Sequence, residues 1–350
     1  MSATDTAFRI AVLCAIASAG ALAGIAIGLP VPLLTGPALL ATAASLLGVP
    51  VAFPIRFRNL LFLFAGITIG SGVSRDSLAA LATWPLAFAL LGVALTLMLL
   101  LGQAALRPIL GSGRAAALLA TTPGHLSFVI ALSEDAGLDS RRISIVQSVR
   151  LLALTMFVPF AARALGLETG IGIASQGGVM GLWVTLGAIG AAVLLSPVLT
   201  RLRFPAPLLI AGMIAGAVAR VSGLSDGGLA PVLSHPTLAL LGALIGSRFA
   251  GVTFADLRQS GLAGLAVTVI AATCATLAAI FAAPIVGMPL AHVLVAFAPG
   301  GLETMTILGA AIGANPGFVA AAHVGRLAFL SVAVPVLLAR ARRSDAAAPG

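Results

Sequence analysis

The sequence predicts an all-α protein that lies in a membrane as a polytopic bundle of helices, and three observations favour this fold. Of its 350 residues, 60% are hydrophobic and only 8% are charged, with a mean hydropathy of +1.16. A soluble globular domain carries about 25% charged residues, so this composition cannot cover a water-facing surface. Apolar runs of helix-spanning length recur along the chain, for example at 86–101 and 261–283. The third observation is that the chain repeats itself.

The internal repeat is found by setting residues 123–163 beside residues 299–339, at a constant offset of 176 and without gaps. Identical residues then coincide at positions that include Pro123 and Pro299, Gly124 and Gly300, Leu132 and Leu308, Gly137 and Gly313, Arg150 and Arg326, and Pro159 and Pro335. The same offset pairs Gly66 with Gly242 and Gly70 with Gly246. We therefore expect a first membrane repeat at 5–165, a Gly-rich linker at 166–178, a second repeat at 179–343 and a short tail at 344–350.

Each repeat is predicted to cross the membrane five times, with one additional segment that enters and leaves on the same side. The two additional segments, 115–134 and 291–313, each contain a Pro-Gly pair. The ten predicted crossings lie near 8–28, 31–49, 59–74, 81–106 and 143–163, and near 179–199, 206–221, 236–251, 260–283 and 317–339.

The distribution of arginine favours repeats of opposite orientation. With the N-terminus in the cytoplasm, fourteen arginines lie inside, and three (Arg75, Arg163 and Arg220) lie outside. If the two additional segments crossed fully, the split would be ten to seven, which fits the positive-inside rule less well. Because five is odd, the second copy is then inverted. Inverted repeats around a site at the membrane midplane recur in secondary transporters. The fourteen are Arg9, Arg56, Arg58, Arg107, Arg114, Arg141, Arg142, Arg201, Arg203, Arg248, Arg258, Arg340, Arg342 and Arg343.

Charge and metal-ligand patterns exclude several classes of function. The net charge is +9, but the arginines lie singly or in pairs at the ends of apolar segments, so we expect no nucleic-acid partner. The four histidines show no i,i+4 pair and no accompanying Cys or Glu cluster, so we expect no metal site and no cofactor. No pattern of nucleophile and base stands out, and we do not expect an enzyme.

Two breaks in apolar segments are the first candidate site residues: Pro123, Gly124 and His125 in one repeat, and Pro299, Gly300 and Gly301 in the other. Pro and Gly free backbone polar groups, which lipid cannot satisfy. One interpretation is a pair of broken helices whose second halves begin at 126 and 302 and point their N-terminal ends at a bound anion. The alternative is a plain kink or a tight helix hairpin. Matched breaks in both repeats favour a built site.

Arg150 and Arg326 are predicted near mid-bilayer, eight to nine residues into their apolar segments. A central charge costs about 2.5–3.5 kcal/mol on insertion scales, so it normally faces an interior or a water-filled cavity. The arginines are expected to bind an anionic solute. The alternative is a structural charge pair or a helix-capping contact. Gln147 and His323 precede them by three residues, on the same helical face, and are expected to line the same space.

Glu303 lies inside the second break, where the first repeat has Ser127. This difference predicts a proton or cation site in one repeat only, with Glu303 as the ion-coupling residue. The alternative is that its carboxylate caps the N-terminus of its own helix, and both roles are compatible.

The residues around these breaks resemble the AbrB family of bacterial membrane proteins. In the second repeat the resemblance covers the run Pro-Gly-Gly-Leu-Glu-Thr-Met at 299–305, Phe-Val-Ala at 318–320, His323-x-x-Arg326 and Pro335. In the first repeat it covers Thr-Pro-Gly at 122–124 and Gln147-x-x-Arg150. The resemblance extends over nearly the whole chain and implies the same duplication. The labels that family members carry include transporter, regulator of gene expression and ammonia monooxygenase.

We expect a secondary transporter or permease for a small, anionic solute. The second hypothesis is a membrane-embedded component that regulates gene expression, and a monooxygenase is a distant third. The expected partners are the lipid bilayer and the solute, and a homo-oligomer is left open. The expected location is the bacterial cytoplasmic (inner) membrane, with both termini in the cytoplasm.

Overall fold

The computed structural model of the protein describes residues 3–73, 83–124, 126–166, 178–202 and 204–346. Side chains are described from residue 8 onward, apart from that of Ser127. His125, Arg75, Arg203 and most of the predicted linker, 167–177, lie outside the described residues. The same holds for residues 347–350 of the predicted tail.

Fourteen α-helices make up most of the described chain, seven in each predicted repeat. In the first repeat they are α1 (Ala3–Ala26), α2 (Pro32–Leu46), α3 (Ile55–Gly70), α4 (Trp84–Leu110), α5 (Arg114–Thr121), α6 (Leu126–Asp135) and α7 (Ser140–Ala164). In the second they are α8 (Leu182–Arg201), α9 (Pro207–Val221), α10 (Pro231–Gly246), α11 (Phe254–Val286), α12 (Leu290–Phe297), α13 (Leu302–Ala311) and α14 (Pro316–Ala346). A short 3₁₀ helix, Ser247–Phe249, follows α10.

The predicted polytopic helical membrane bundle is confirmed. Seven helices in the described chain are long and apolar enough to cross a bilayer: α1, α4, α7, α8, α11, α14 and α10 with its 3₁₀ extension. The helices α2, α3 and α9 have only 15 or 16 residues, about 22–24 Å, and so fall short of the roughly 30 Å of a bilayer core. They need not span it alone, because much of their length is buried among other helices.

The ends of several helices differ from the predicted crossings. The helices α3 and α10 begin and end about one turn earlier than the predicted 59–74 and 236–251. Their first turns contain Arg56, Arg58 and Pro231, which an apolar window excludes, although proline is well suited to a first helical position. The helix α11 begins earlier than 260, at a capping box formed by Thr253 and Asp256.

The two interrupted segments are helix hairpins. All four helix ends of α5 and α6 coincide with those of α12 and α13 at the offset of 176. With 8 and 10 residues, about 12 and 15 Å, neither half crosses a bilayer alone. In the second hairpin His292 Nε2 lies 3.2 Å from the Ile312 carbonyl oxygen, so its two ends meet. In the first, Arg142 just after the hairpin donates to the Leu110 carbonyl just before it, at 2.9 Å.

One end of the bundle, here called the C-terminal face, is defined by two contacts between the repeats. Asp345, near the end of α14, accepts the backbone N–H of Arg114 at the start of α5, at 2.8 Å. Arg141, at the start of α7, forms a salt bridge of 2.7 Å with Asp256 at the start of α11. The starts of α5, α7 and α11 and the end of α14 therefore share this face.

The other end of the bundle, the opposite face, shows that the repeats are inverted. Arg163, at the end of α7, donates to the Gly28 carbonyl just after α1, at 3.1 Å. Trp84, at the start of α4, lies beside Gly317 at the start of α14. The helix α4 therefore begins at the opposite face, whereas its counterpart α11 begins at the C-terminal face. The helices α7 and α14 are reversed in the same way.

Glycines matched by the repeat let helices of one repeat lie against helices of the other. A Cβ at Gly66 of α3 would collide with the Leu209 carbonyl of α9, and one at Gly242 of α10 would collide with the Leu34 carbonyl of α2. Gly70 and Gly246 continue these two contacts one turn later. Small residues four apart permit this close approach of membrane helices. The repeats are therefore interlocked through α3 with α9 and α2 with α10.

This interlocking predicts a large cost for filling either contact. Gly66→Leu should lower the melting temperature of the purified protein in detergent by several degrees, because over-packing of this kind typically costs about 1–3 kcal/mol. Gly190→Leu on α8 is the matched control, since no neighbouring atom lies within reach of a Cβ there. Equal melting temperatures for the two variants would contradict the packing described.

Candidate functional site

A cavity of about 750 Å³ leads from the C-terminal face to the tips of both hairpins. Its outer part includes Arg58 near the start of α3 and Thr200 near the end of α8, both exposed. Its inner part includes Arg150 and Arg326, which are only 3% and 2% exposed. The cavity therefore connects the predicted midplane residues with one face of the bundle.

Arg150 holds the inner end of α5. Its Nη1 donates to the carbonyl oxygens of Thr121 and Thr122 at 2.9 and 3.3 Å, and Nη2 approaches the latter at 3.4 Å. One turn earlier, Gln147 Nε2 donates to the Leu119 carbonyl at 3.0 Å. The last carbonyls of a helix have no partner in the helix and carry its negative pole, so a buried cation satisfies both requirements.

Arg326 does the same for α12 in the second repeat. Its Nη1 donates to the Ala298 carbonyl at 3.0 Å and its Nη2 to the Gly300 carbonyl at 2.7 Å. The positive charges of Arg326 and Arg150 also interact with each other. The Nε atoms of both arginines are buried without a hydrogen-bond partner in the described structure. Both arginines thus make the helix-capping contact that was the structural alternative, and both line the cavity as well.

The remaining predicted residues divide into those that line the cavity and those that do not. Gly124, Gln147, Pro299, Gly300, Gly301 and Glu303 line it together with the two arginines. His323 is fully buried, its Nδ1 lies 2.9 Å from the Val319 carbonyl, and it is not part of the lining. Pro123 is buried and is also absent from the lining. His125 lies outside the described residues.

The partner of Glu303 is Arg248, whose Nη2 lies 3.3 Å from Glu303 Oε1. Their side chains are 19% and 29% exposed. The hydrogen bond described for the Glu303 carboxylate comes from Arg248, and none is described from a backbone N–H at the start of α13. The hydrogen bonds described for Arg326 are donated to carbonyl oxygens. Arg326 and the Glu303 carboxylate interact electrostatically, without a hydrogen bond between them.

The two breaks have different backbone geometry. Gly124 has a φ of 124°, and a Cβ there would lie 3.0 Å from Leu327 Cδ2. Such a φ disfavours every residue with a side chain, so the first break requires glycine. At Gly300 a Cβ would instead collide with the flexible side chain of Met305. Glycine is therefore required by the backbone conformation in the first hairpin, whereas a side chain at Gly300 would require Met305 to move.

The sequence analysis missed two cavity arginines, Arg58 and Arg248, because it placed them at helix ends as cytoplasmic anchors. The offset of 176 shows that neither is shared by the repeats, as is true of most arginines in the chain. It pairs Arg248 with Gly72 and Arg58 with Ser234, so each charge occurs in one repeat only. The charge of Glu303 also occurs in one repeat only, because its counterpart at this offset is Ser127.

Four aromatic residues pack between the second hairpin and the opposite face. The ring of Phe318 lies 5.4 Å from Trp84, 5.7 Å from Phe88 and 6.3 Å from Phe297, between centroids. Edge-to-face and stacked pairs at these distances stabilise beyond the area they bury. This aromatic cluster lies near Gly317 at the start of α14, on the side away from the cavity. The cavity therefore reaches the C-terminal face, and the aromatic cluster fills the other side.

Metal ligands are not grouped in the described chain, where no three His, Cys, Asp or Glu residues lie close enough to hold an ion. The polar atoms at the cavity are instead guanidinium groups, one carboxylate, and amide and hydroxyl groups. This chemistry suits an anionic occupant, since most of these groups are hydrogen-bond donors.

A family model described as "Transition state regulatory protein AbrB" matches residues 33–342. The chain belongs to the AbrB family. The match includes both hairpins and every cavity residue named above. This AbrB-family chain is also similar to a protein of Bacillus subtilis (strain 168) described as "Uncharacterized protein YhjN", with 26% identity over 231 residues. That alignment covers 61% of this chain and 60% of the relative, so the chain spans less than two thirds of the length of the relative it matches.

The carbonyl contacts of Arg326 predict that lysine cannot replace it. Arg326→Lys keeps the charge but loses the planar fork that reaches the Ala298 and Gly300 carbonyls together. One buried carbonyl is then left unpaired, and we expect a loss of about 1–3 kcal/mol in stability. Thermal unfolding in detergent measures this, with Arg258→Lys as control because Arg258 is exposed. An unchanged melting temperature for Arg326→Lys would contradict the conclusion that Arg326 stabilises the end of α12 through these carbonyl contacts.

Proposed function

We propose that this AbrB-family protein is a secondary transporter or permease for a small anion. The observation that carries the proposal is the charge of the cavity. Its lining contains Arg58, Arg150, Arg248 and Arg326 against a single carboxylate, that of Glu303. An unpaired charge away from bulk water is costly, so such a lining favours an anionic occupant.

The hairpin tips add to the attraction for anions. The helices α6 and α13 begin at Leu126 and Leu302, which both line the cavity. A helix N-terminus carries about half a positive charge and free N–H groups. Meanwhile the negative poles of α5 and α12 are held by Arg150 and Arg326. The net field at the tips is therefore positive.

The pair of Arg248 and Glu303 gives a mechanism for coupling. In the absence of solute the two charges neutralise each other across 3.3 Å. An anion that enters the cavity attracts Arg248, which also lines it, weakens this pair and leaves the carboxylate to take a proton or a cation. Solute and coupling ion then bind together. In this proposal the inverted repeats exchange conformations, so that access to the cavity alternates between the two faces. The cavity is open at one face, and the aromatic cluster fills the side toward the other.

The location we propose is the bacterial cytoplasmic membrane, with the C-terminal face and both termini in the cytoplasm. The described arginines predicted to lie inside are all on helix ends at the C-terminal face, while Arg163 and Arg220 are at the ends of α7 and α9 on the other side. This asymmetry agrees with the positive-inside rule.

Cysteine labelling in intact cells tests this orientation. In a background without Cys14 and Cys274, a cysteine at Arg220 should react with a membrane-impermeant maleimide, and one at Arg141 should react only after the cells are permeabilised. The reverse pattern would place the C-terminal face outside and would contradict the proposed orientation.

The family description favours a second candidate, a membrane component that acts on gene expression with the cavity as its sensor. Such a component needs a cytoplasmic surface for a partner, whereas the described chain is committed to the bundle. We propose no catalytic step for either candidate. Activity of the purified protein alone separates them, since a transporter needs no partner.

Counterflow in proteoliposomes tests the transporter. Vesicles that contain the purified protein should accumulate at least one labelled anion from the set of acetate, lactate, succinate, sulfate and phosphate, above protein-free vesicles. Glu303→Gln should alter the dependence of uptake on pH, because the coupling carboxylate is gone. Arg114→Gln is the control, since Arg114 lies at the same face but outside the cavity lining. Uptake of none of the five anions would reject the proposal.

A further inference from the structure

Cationic groups line the cavity at two different depths. Both α3 and α7 begin at the C-terminal face. Arg58 is three residues after Ile55, which places it about 5 Å along α3. Arg150 is ten residues after Ser140, which places it about 15 Å along α7. The Cα atoms of the two arginines therefore differ in depth by roughly 10 Å along the bundle.

The outer charge is available for a ligand. Arg58 is exposed, and its guanidinium carbon lies 5.8 Å from the centroid of the Phe62 ring. Within the described residues it forms no salt bridge. Arg248, by contrast, is already paired with Glu303. The cavity arginines without a carboxylate partner are thus Arg58 on the outside and Arg150 with Arg326 on the inside.

The lining contains apolar side chains beside polar ones. Phe62, Leu126 and Leu151 belong to the apolar set, and Asn59 and Ser148 to the polar set. The apolar side chains can contact a short carbon chain that is held between two acidic groups.

We infer that the solute is an organic dianion with an acidic group at each end of a short carbon chain. One acidic group lies against Arg150 and Arg326, and the other against Arg58. A monoanion leaves one of the two positions unmatched, and a compact inorganic dianion cannot reach both. The inference rests on the proposed function and makes Arg58 a specificity-determining residue.

Binding of three probes to the purified protein tests the inference. Glutarate has an acidic group at each end, pentanoate has the same number of carbons with one, and sulfate is a compact dianion. Isothermal titration should give glutarate a dissociation constant lower than that of pentanoate by about tenfold, the effect of one additional charge-assisted contact. Sulfate should bind no better than pentanoate.

Variants at neighbouring positions of α3 make the test specific. Arg58→Gln should remove the advantage of glutarate and leave the affinity for pentanoate within about twofold, because only the outer charge is lost. Arg58→Lys should retain most of the advantage. Arg56→Gln is the matched control: Arg56 is exposed, lies two residues away and does not line the cavity. Both exposed positions permit folding, which melting temperatures verify.

The outcomes separate this inference from the proposed function. Equal affinity for glutarate and pentanoate, with counterflow of a monocarboxylate intact, overturns the dianion and leaves the transporter in place. Sulfate binding as tightly as glutarate overturns the requirement for a carbon chain. An unchanged preference in Arg58→Gln overturns the role of Arg58. Absence of binding and of counterflow for every anion overturns both proposals.

Discussion

A carbonyl group at the end of a helix inside a bilayer has no water to bind, and most of this structure follows from how that problem is solved. The helices α5 and α12 end inside the bundle, and Arg150 and Arg326 donate to their last carbonyls. Each contact ties a hairpin to a long helix, α7 or α14, and fixes where its tip lies. Since a guanidinium group has five donors, two or three bonds to carbonyls leave others free. The same residue that makes the broken helix tolerable therefore also brings positive charge to the cavity.

Residues that the two repeats share build the frame, and residues that they do not share give it a direction. The shared set includes both arginines and the glycines that lock α3 to α9 and α2 to α10. The unshared set includes Arg58, Arg248 and Glu303, which line the cavity in one repeat only. A perfectly symmetric duplication would present the same groups to both faces. A cavity with its free charge toward the C-terminal face therefore requires the second set.

The sequence predicted the hairpins well because the repeat marks them twice. Both second halves begin at the predicted residues, 126 and 302, since Pro-Gly punctuation and a constant offset are local properties of the chain. The partner of Glu303 was not predictable in this way. Arg248 is 55 residues away in sequence, and only the tertiary fold brings the two side chains together. Helical spacing likewise placed His323 on the face of Arg326, but spacing does not show that its ring turns to the Val319 carbonyl.

The two faces cannot be filled by the same side chains, which follows from the same loss of symmetry. At the opposite face, Trp84, Phe88, Phe297 and Phe318 pack as an aromatic cluster. Their counterparts at the offset of 176 are Ser260, Gly264, Thr121 and Arg142. None of these four is aromatic, Thr121 presents its carbonyl to Arg150, and Arg142 donates to the Leu110 carbonyl. An exchange of conformations between the repeats therefore cannot reproduce the aromatic cluster at the C-terminal face. In the proposed transporter, closure there therefore uses polar contacts, and the charged groups that line the cavity are the ones available.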